Sequence, residues 1–360
     1  MKKRIYLMRP EVGKNELMAV NSIFRSKYLT EGKITEKFEK AVREFVNAKF
    51  AIATTSATTA LHVGLESLKV KNKRVLVSDF TFPATGLAII QAGGIPVLVD
   101  VDRYKMNVTR EIIEETKIKD DSIVCPVSLF GNPLDLDFYG LKKKDFLIIE
   151  DAATNLGVKV DQKFVGELAD ITCFSFHPRK IITTGEGGMI TTNNKKLSNE
   201  MRSFKMFGKV NNKFVNSGTN YKLSDIQSAI GLEQMKKLHK IIDKRIKKAK
   251  IYDEMISKID YVSNQRHTEK SFHTYQSYVC IIEKNGFRNK VIKKLSENNI
   301  ESQIGTYAMH CLPIFKKYKI KKLANSKFLY ENTISIPLHN ELKFEDQEKI
   351  IKIINSVVNE

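Results

Sequence analysis

Seven short apolar runs recur through the first half of this chain, at 50–53, 74–78, 95–100, 123–129, 146–151, 171–176 and 188–192. Each is rich in Val, Ile or Phe, and most are near-continuous rather than alternating. A strand that is apolar at every position is buried on both faces, which suits a sheet covered by helices on either side. Helix-like segments at 58–68 and 85–92 lie between several of the runs. Strand–helix alternation implies an α/β fold with a mostly parallel sheet, seven-stranded if each run contributes one strand.

The texture changes after Leu223. Ser224-Asp225-Ile226-Gln227 opens a long helical pattern, with Leu232, Met235, Leu238, Ile242 and Ile246 at helical spacing. Shorter strand and helix candidates follow at 278–282, 290–298, 333–336 and 344–357. They predict a second, smaller α+β domain. With 360 residues and about 150 residues per domain, two domains are expected. The division is placed at 1–235 for the large domain and 236–360 for the small C-terminal one.

The chain carries 60 Lys and Arg against 41 Asp and Glu, a net charge of +19. The excess is mostly lysine, spread along the whole length, as on a solvated surface. Lys236, Lys237, Lys240, Lys244, Lys247 and Lys248 line one face of the long helix. A basic helix for nucleic acid or membrane is the sharper reading, and a face turned to water is the plainer one. No zinc-finger or RNA-recognition signature is present, and neither a nucleic-acid nor a membrane partner is expected. No apolar run approaches the roughly 18 residues of a membrane-spanning helix. Met1-Lys2-Lys3-Arg4 resembles a signal-peptide head, but Arg9 and Glu11 soon interrupt the apolar residues that follow. A cytoplasmic protein is expected. Cys125, Cys173, Cys280 and Cys311 show no metal-ligand spacing, and Cys125 and Cys173 lie inside apolar runs, where a buried thiol is the default.

Three segments can carry chemistry. In 174–188 a strand ends at Phe176, Pro178 forces a turn, and Lys180 precedes a glycine-rich loop. A lysine at such an exit can form a Schiff base with a carbonyl if its amine is held neutral; otherwise it is an ordinary surface lysine. In 147–153 a buried strand ends in Glu150 and Asp151 and runs into small residues. An acid there can pair with a cationic ring nitrogen or a metal, or simply cap a helix. In 54–62 a short strand enters a helix whose start is crowded with hydroxyl residues. That is a phosphate cradle or a plain N-cap. Together, a phosphate cradle, a strand-end aspartate and a turn-borne lysine describe a site for pyridoxal 5'-phosphate, which offers a phosphate, a ring nitrogen and an aldehyde.

Further stretches accompany these segments: Asp79-Phe80-Thr81-Phe82-Pro83-Ala84-Thr85, 94–102, 129–137, Asn220-Tyr221-Lys222-Leu223-Ser224 and Ile334-Ser335-Ile336-Pro337-Leu338-His339. The whole set, from about Glu16 to Lys352, resembles the DegT/DnrJ/StrS-type sugar aminotransferases of the fold type I pyridoxal phosphate family. The resemblance implies a fold type I large domain and places the Schiff-base lysine at Lys180. The carboxylate facing the pyridine nitrogen falls on Asp151, and the stacked aromatic ring on Phe82, with Ala153 on the other side. Phosphate ligands fall on Thr58, Thr59 and Ser175. Asn220 falls where an asparagine reaches the neighbouring subunit's phosphate, which implies a homodimer with shared sites. Three positions depart from the family pattern: Thr154 for Gln or His, Lys222 for Arg, and Ala57 for Gly. Relatives that replace the lysine with His dehydrate sugars, and Lys180 argues against that branch.

The implied activity is transfer of an amino group from L-glutamate to a keto sugar for surface glycan biosynthesis. His177 before the lysine turn and Ile181-Ile182-Thr183 after it resemble members acting at carbon 4, so a nucleotide-linked 4-keto-6-deoxyhexose is the expected acceptor. The alternatives are a non-nucleotide ketone, such as a small keto phosphate or a keto-octulosonate, and a non-catalytic basic binding protein with the same shell.

Overall fold

A computed structural model describes residues 4–116, 118, 123–318 and 322–360. Met1, Lys2 and Lys3 of the basic start therefore lie outside the described residues. The seven runs form one sheet: β1 (Phe50–Thr54), β2 (Arg74–Ser78), β3 (Ile95–Val99), β4 (Ile123–Cys125), β5 (Leu147–Asp151), β6 (Ile171–Ser175) and β7 (Gly188–Thr192). Their spatial order is β3-β2-β4-β5-β6-β7-β1. The pairs among β3, β2, β4, β5 and β6 are parallel, and β7 runs antiparallel to both of its neighbours. Every residue of β6 and β7 is buried, in keeping with the unbroken apolar runs. The run at 123–129 is shorter as a strand than the apolar stretch, because Pro126 follows β4 and has no N–H to continue the ladder.

Helices cover both faces. The helix Ala57–Ser67 buries Ala60, Leu61, Val63, Gly64 and Leu65 against the sheet. A Cβ on Gly64 would meet Ile149 Cδ1 at 2.6 Å, so helix and sheet approach more closely than alanine permits. On the register, Thr54 faces Gly188 and Gly188 faces Ser175, which gathers three strand ends at one edge. A Cβ on Gly188 would lie 2.2 Å from Ser56 O, so the turn leaving β1 rests directly on that glycine.

The long helix runs unbroken from Asp225 to Ile256. Ser224 and Gln227 cap each other at its start, as the sequence pattern suggests. Its expected lysine stripe is partly engaged: Lys237 pairs with Glu16, and Lys248 donates to Leu342 O. The expected division at 235/236 falls inside this helix. Leu238, Ile241 and Ile242 pack into the large-domain core, whereas Ala249, Tyr252 and Ile256 pack into a separate one. That second core includes Ile5 and belongs to a four-stranded antiparallel sheet, with Val262–Asn264, Tyr278–Ile282, Thr333–Ile336 and Gln303–Ile304 as neighbours in that order. The helices Phe287–Glu297 and Phe344–Val358 pack into the same core. Among the described residues no helix is long and apolar enough to cross a membrane.

Candidate active site

A cavity of about 400 Å³ opens where β1, β5 and β6 end, between the sheet and the small domain. In parallel α/β sheets this is the edge at which ligands bind. Thr58, Phe82, Asp151, Ala153, Ser175 and Lys180 all line it. Thr59 and Asn220 do not.

The cradle is built by the turn from β1 into the helix Ala57–Ser67. Ser56 is extended, with φ −165°, and its Oγ accepts the Thr59 N–H at 3.1 Å. In return Thr59 Oγ1 accepts the Ser56 N–H at 2.9 Å. The Thr59 hydroxyl is thus committed to the cap, which turns it away from the cavity. The first N–H groups of a helix have no intrahelical acceptor. Those of Ala57 and Thr58 therefore remain for an anion, on the positive end of the helix dipole. Ser175, at the end of β6, accepts the His177 N–H at 3.3 Å and keeps its own proton to donate.

Asp151 ends β5 with 6% of its surface exposed. Thr85 Oγ1 donates to one carboxylate oxygen at 2.6 Å and Ala153 N–H to the other at 3.1 Å. Burial pushes the Asp151 pKa up, and these donors together with the charge of Lys180 hold it back. Thr85 was legible only in outline: it lies three residues after Phe82, one helical turn away. The partner that gives it meaning stands 66 positions later. Behind the strand end, Glu150 is fully buried and accepts from Ser128 Oγ at 2.7 Å and Tyr139 Oη at 2.8 Å. Burial pushes its pKa up to about 7 against those two donors.

Lys180 sits on the turn after β6. Its N–H bonds His177 O at 2.8 Å, and Thr183 Oγ1 ties the returning chain to Phe176 O at 2.8 Å. The residue lines the cavity and is half-buried. That burial lowers the Lys180 pKa, opposed by the negative charge of Asp151. A lysine so placed loses its proton more readily than a surface one. Phe82 presents a ring that is 63% exposed on the cavity wall, an open face for a flat partner. Thr154 also lines the cavity, and its hydroxyl donates to Ser128 O at 2.9 Å.

The small domain adds residues that no local pattern flagged. Gln276 Nε2 donates to Arg179 O at 2.7 Å, and Arg179 Nη1 donates to Gln303 Oε1 at 3.0 Å. The lysine turn is therefore clamped from across the domain boundary. Asn220 is exposed and bridges to Met206 at the base of a projecting hairpin, Lys209–Val210 with Lys213–Phe214. The stretch 210–217 there is exposed throughout. In the structure it presents Val210, Phe214 and Val215 to solvent, 44%, 69% and 57% exposed.

These groups fit pyridoxal phosphate. Free helix N–H groups and two hydroxyls suit the phosphate, a buried carboxylate suits the ring nitrogen, and a desolvated lysine suits the aldehyde.

Comparison with known proteins agrees with that fit. The model of the DegT/DnrJ/EryC1/StrS aminotransferase family matches residues 10–355. A UDP-4-amino-4,6-dideoxy-N-acetyl-beta-L-altrosamine transaminase of Campylobacter jejuni is 30% identical over 363 residues, covering 96% of each chain. A GDP-perosamine synthase of Caulobacter vibrioides is 29% identical, covering 99% of this chain and 98% of its own. The solved structure of Helicobacter pylori PseC, an aminotransferase of pseudaminic acid biosynthesis, superposes with a TM-score of 0.93 at 25% identity, covering 99% of this chain and all of that one. The chain therefore belongs to the DegT/DnrJ/EryC1/StrS aminotransferase family of pyridoxal-phosphate-dependent enzymes.

Proposed function

We propose that this enzyme transfers the amino group of L-glutamate to carbon 4 of a nucleotide-linked 4-keto-6-deoxy sugar, working as a homodimer with shared sites. The observation that carries the aminotransferase chemistry is the convergence of Lys180, Asp151 and the helix cradle on one cavity. Carbon 4 is supported by the His177 and Ile181-Ile182-Thr183 pattern and by the Campylobacter relative, whose name specifies a UDP-linked 4-amino-4,6-dideoxy sugar.

When bound, pyridoxal phosphate supplies an aldehyde to take up the amino group and a ring to accept the electrons left on the donor carbon. The chain's own residues do the rest. Thr58, Ser175 and the N–H groups of Ala57 and Thr58 would hold the phosphate. Phe82 and Ala153 would confine the ring. Asp151, ionised and oriented by Thr85 and Ala153 N–H, would keep a proton on the ring nitrogen. Lys180 Nζ would take the proton from the donor carbon as a base and deliver it, as an acid, to the former aldehyde carbon of the cofactor. Its lowered pKa suits both roles. Asn220 would reach the partner's phosphate. A cytoplasmic location and a place in surface glycan synthesis belong to the same reading.

The test is a panel of 3-keto and 4-keto nucleotide sugars and non-nucleotide ketones, each with L-glutamate and pyridoxal phosphate. Release of 2-oxoglutarate and the mass of the amino sugar are measured. Turnover confined to 3-keto sugars or to non-nucleotide ketones would reject the acceptor proposed here.

A further inference from the structure

We infer that Arg179 receives the α-carboxylate of the amino donor; the inference rests on the aminotransferase reading above. The charged and titratable side chains on the cavity wall are Asp151, His177, Arg179, Lys180 and Glu186. Four of them have work or a counter-charge nearby. Asp151 is held by Thr85 and faces Lys180 electrostatically. His177 and Glu186 lie 3.8 Å apart. Arg179 is different: its guanidinium has no carboxylate partner among the described residues, and its single side-chain bond is to the neutral amide of Gln303 at 3.0 Å.

That bond uses Nη1. It leaves Nε and Nη2, which together form one bidentate edge of the fork, without an acceptor among the described residues. A planar fork with two parallel donors matches a carboxylate. The arm is also held in place. Gln276 donates to the Arg179 carbonyl at 2.7 Å, which holds its backbone, and Gln303 accepts from the exposed guanidinium at 3.0 Å, which orients the fork.

Position decides which anion it meets. Arg179 precedes Lys180, so their Cα atoms are about 3.8 Å apart. Lys180 must reach the α-carbon of the donor to move its proton. The α-carboxylate is bonded to that same carbon, within reach of the neighbouring side chain. The diphosphate of a nucleotide sugar is separated from its carbon 4 by the atoms of the sugar ring.

The experiment compares wild type, Arg179→Gln and Arg179→Lys as holoenzymes. Rapid mixing with L-glutamate alone follows the cofactor absorbance, and a second series measures the KM for the keto sugar. A third measures binding of glutarate, which has the carboxylates but no amine to react. In Arg179→Gln the half-saturating glutamate concentration should rise about tenfold to a hundredfold, the size of a lost charge-assisted hydrogen bond. Glutarate should weaken similarly, and the sugar KM should stay within about twofold. Arg179→Lys, with charge but no fork, should fall between. A rise in the sugar KM with glutamate unaffected would overturn the inference, as would equal glutarate binding by all three proteins. Failure of the aminotransferase reading looks different: wild type would react with no amino donor, while the glutarate series still reports on Arg179.

Discussion

Glu150 offers the sharpest quantitative prediction. It is fully buried beside the catalytic strand end, yet it does not border the cavity. Its pKa stands at about 7 against an ordinary 4.5, chiefly because burial disfavours its charged form. The difference of 7 − 4.5, at about 1.4 kcal/mol for each tenfold change in proton affinity, is worth about 3 kcal/mol. The native state binds this proton more tightly than the unfolded chain does. The contribution to stability is therefore fully present below pH 4.5 and is lost as pH rises through about 7. Glu150→Gln keeps the shape and removes the charge. Its amide can pair with the Ser128 and Tyr139 hydroxyls, each of which can accept as well as donate. Urea unfolding of the apoprotein is measured at pH 5 and at pH 8.5. Near pH 5 the variant should match wild type or be slightly weaker. At pH 8.5 it should be more stable by up to about 3 kcal/mol, because wild type then holds a buried carboxylate. A difference between the two proteins that does not change with pH would refute the argument and mean that the two hydroxyl donors fully offset the burial.

Asp151→Asn should fold and still collect the cofactor, but turnover should collapse because a neutral amide cannot hold a proton on the ring nitrogen. Thr85→Val removes the 2.6 Å donor to Asp151, along with longer contacts to Phe82 O and Thr81 Oγ1, and should lose about tenfold in kcat; near wild-type turnover of Asp151→Asn would reject the role of that carboxylate. Lys180→Ala and Asn220→Ala, each inactive alone, should regain part of the activity when mixed under subunit exchange, because a mixed dimer confines both lesions to one site. No regain would place Asn220 at its own subunit's site, and a monomer in sizing experiments would exclude sharing altogether.

Most strands of the large sheet were legible because their signal is local. Continuous apolar runs such as 171–176 and 188–192 mark buried strands wherever they lie in space. The strand-end Asp151 and the turn-borne Lys180 were legible for the same reason, since each is defined by residues a few positions away. Boundaries were less so. Pro126 shortens β4, and the long helix passes through the expected division because its two halves serve different cores.

Only the tertiary structure decided what those residues touch. β7 lies between β6 and β1, and that order alone brings Ser175, Gly188 and Thr54 together. The Thr59 hydroxyl had two local roles open to it, cap or ligand, and the geometry of Ser56 selects the cap. Thr85 meets Asp151 across 66 residues, and Arg179 meets Gln303 across 124. Propensity and periodicity report a residue's own segment, so they reveal which groups stand at strand ends and turns. Hydrogen-bond partners supplied by another domain depend on how the two cores pack, and no spacing along the chain encodes that distance.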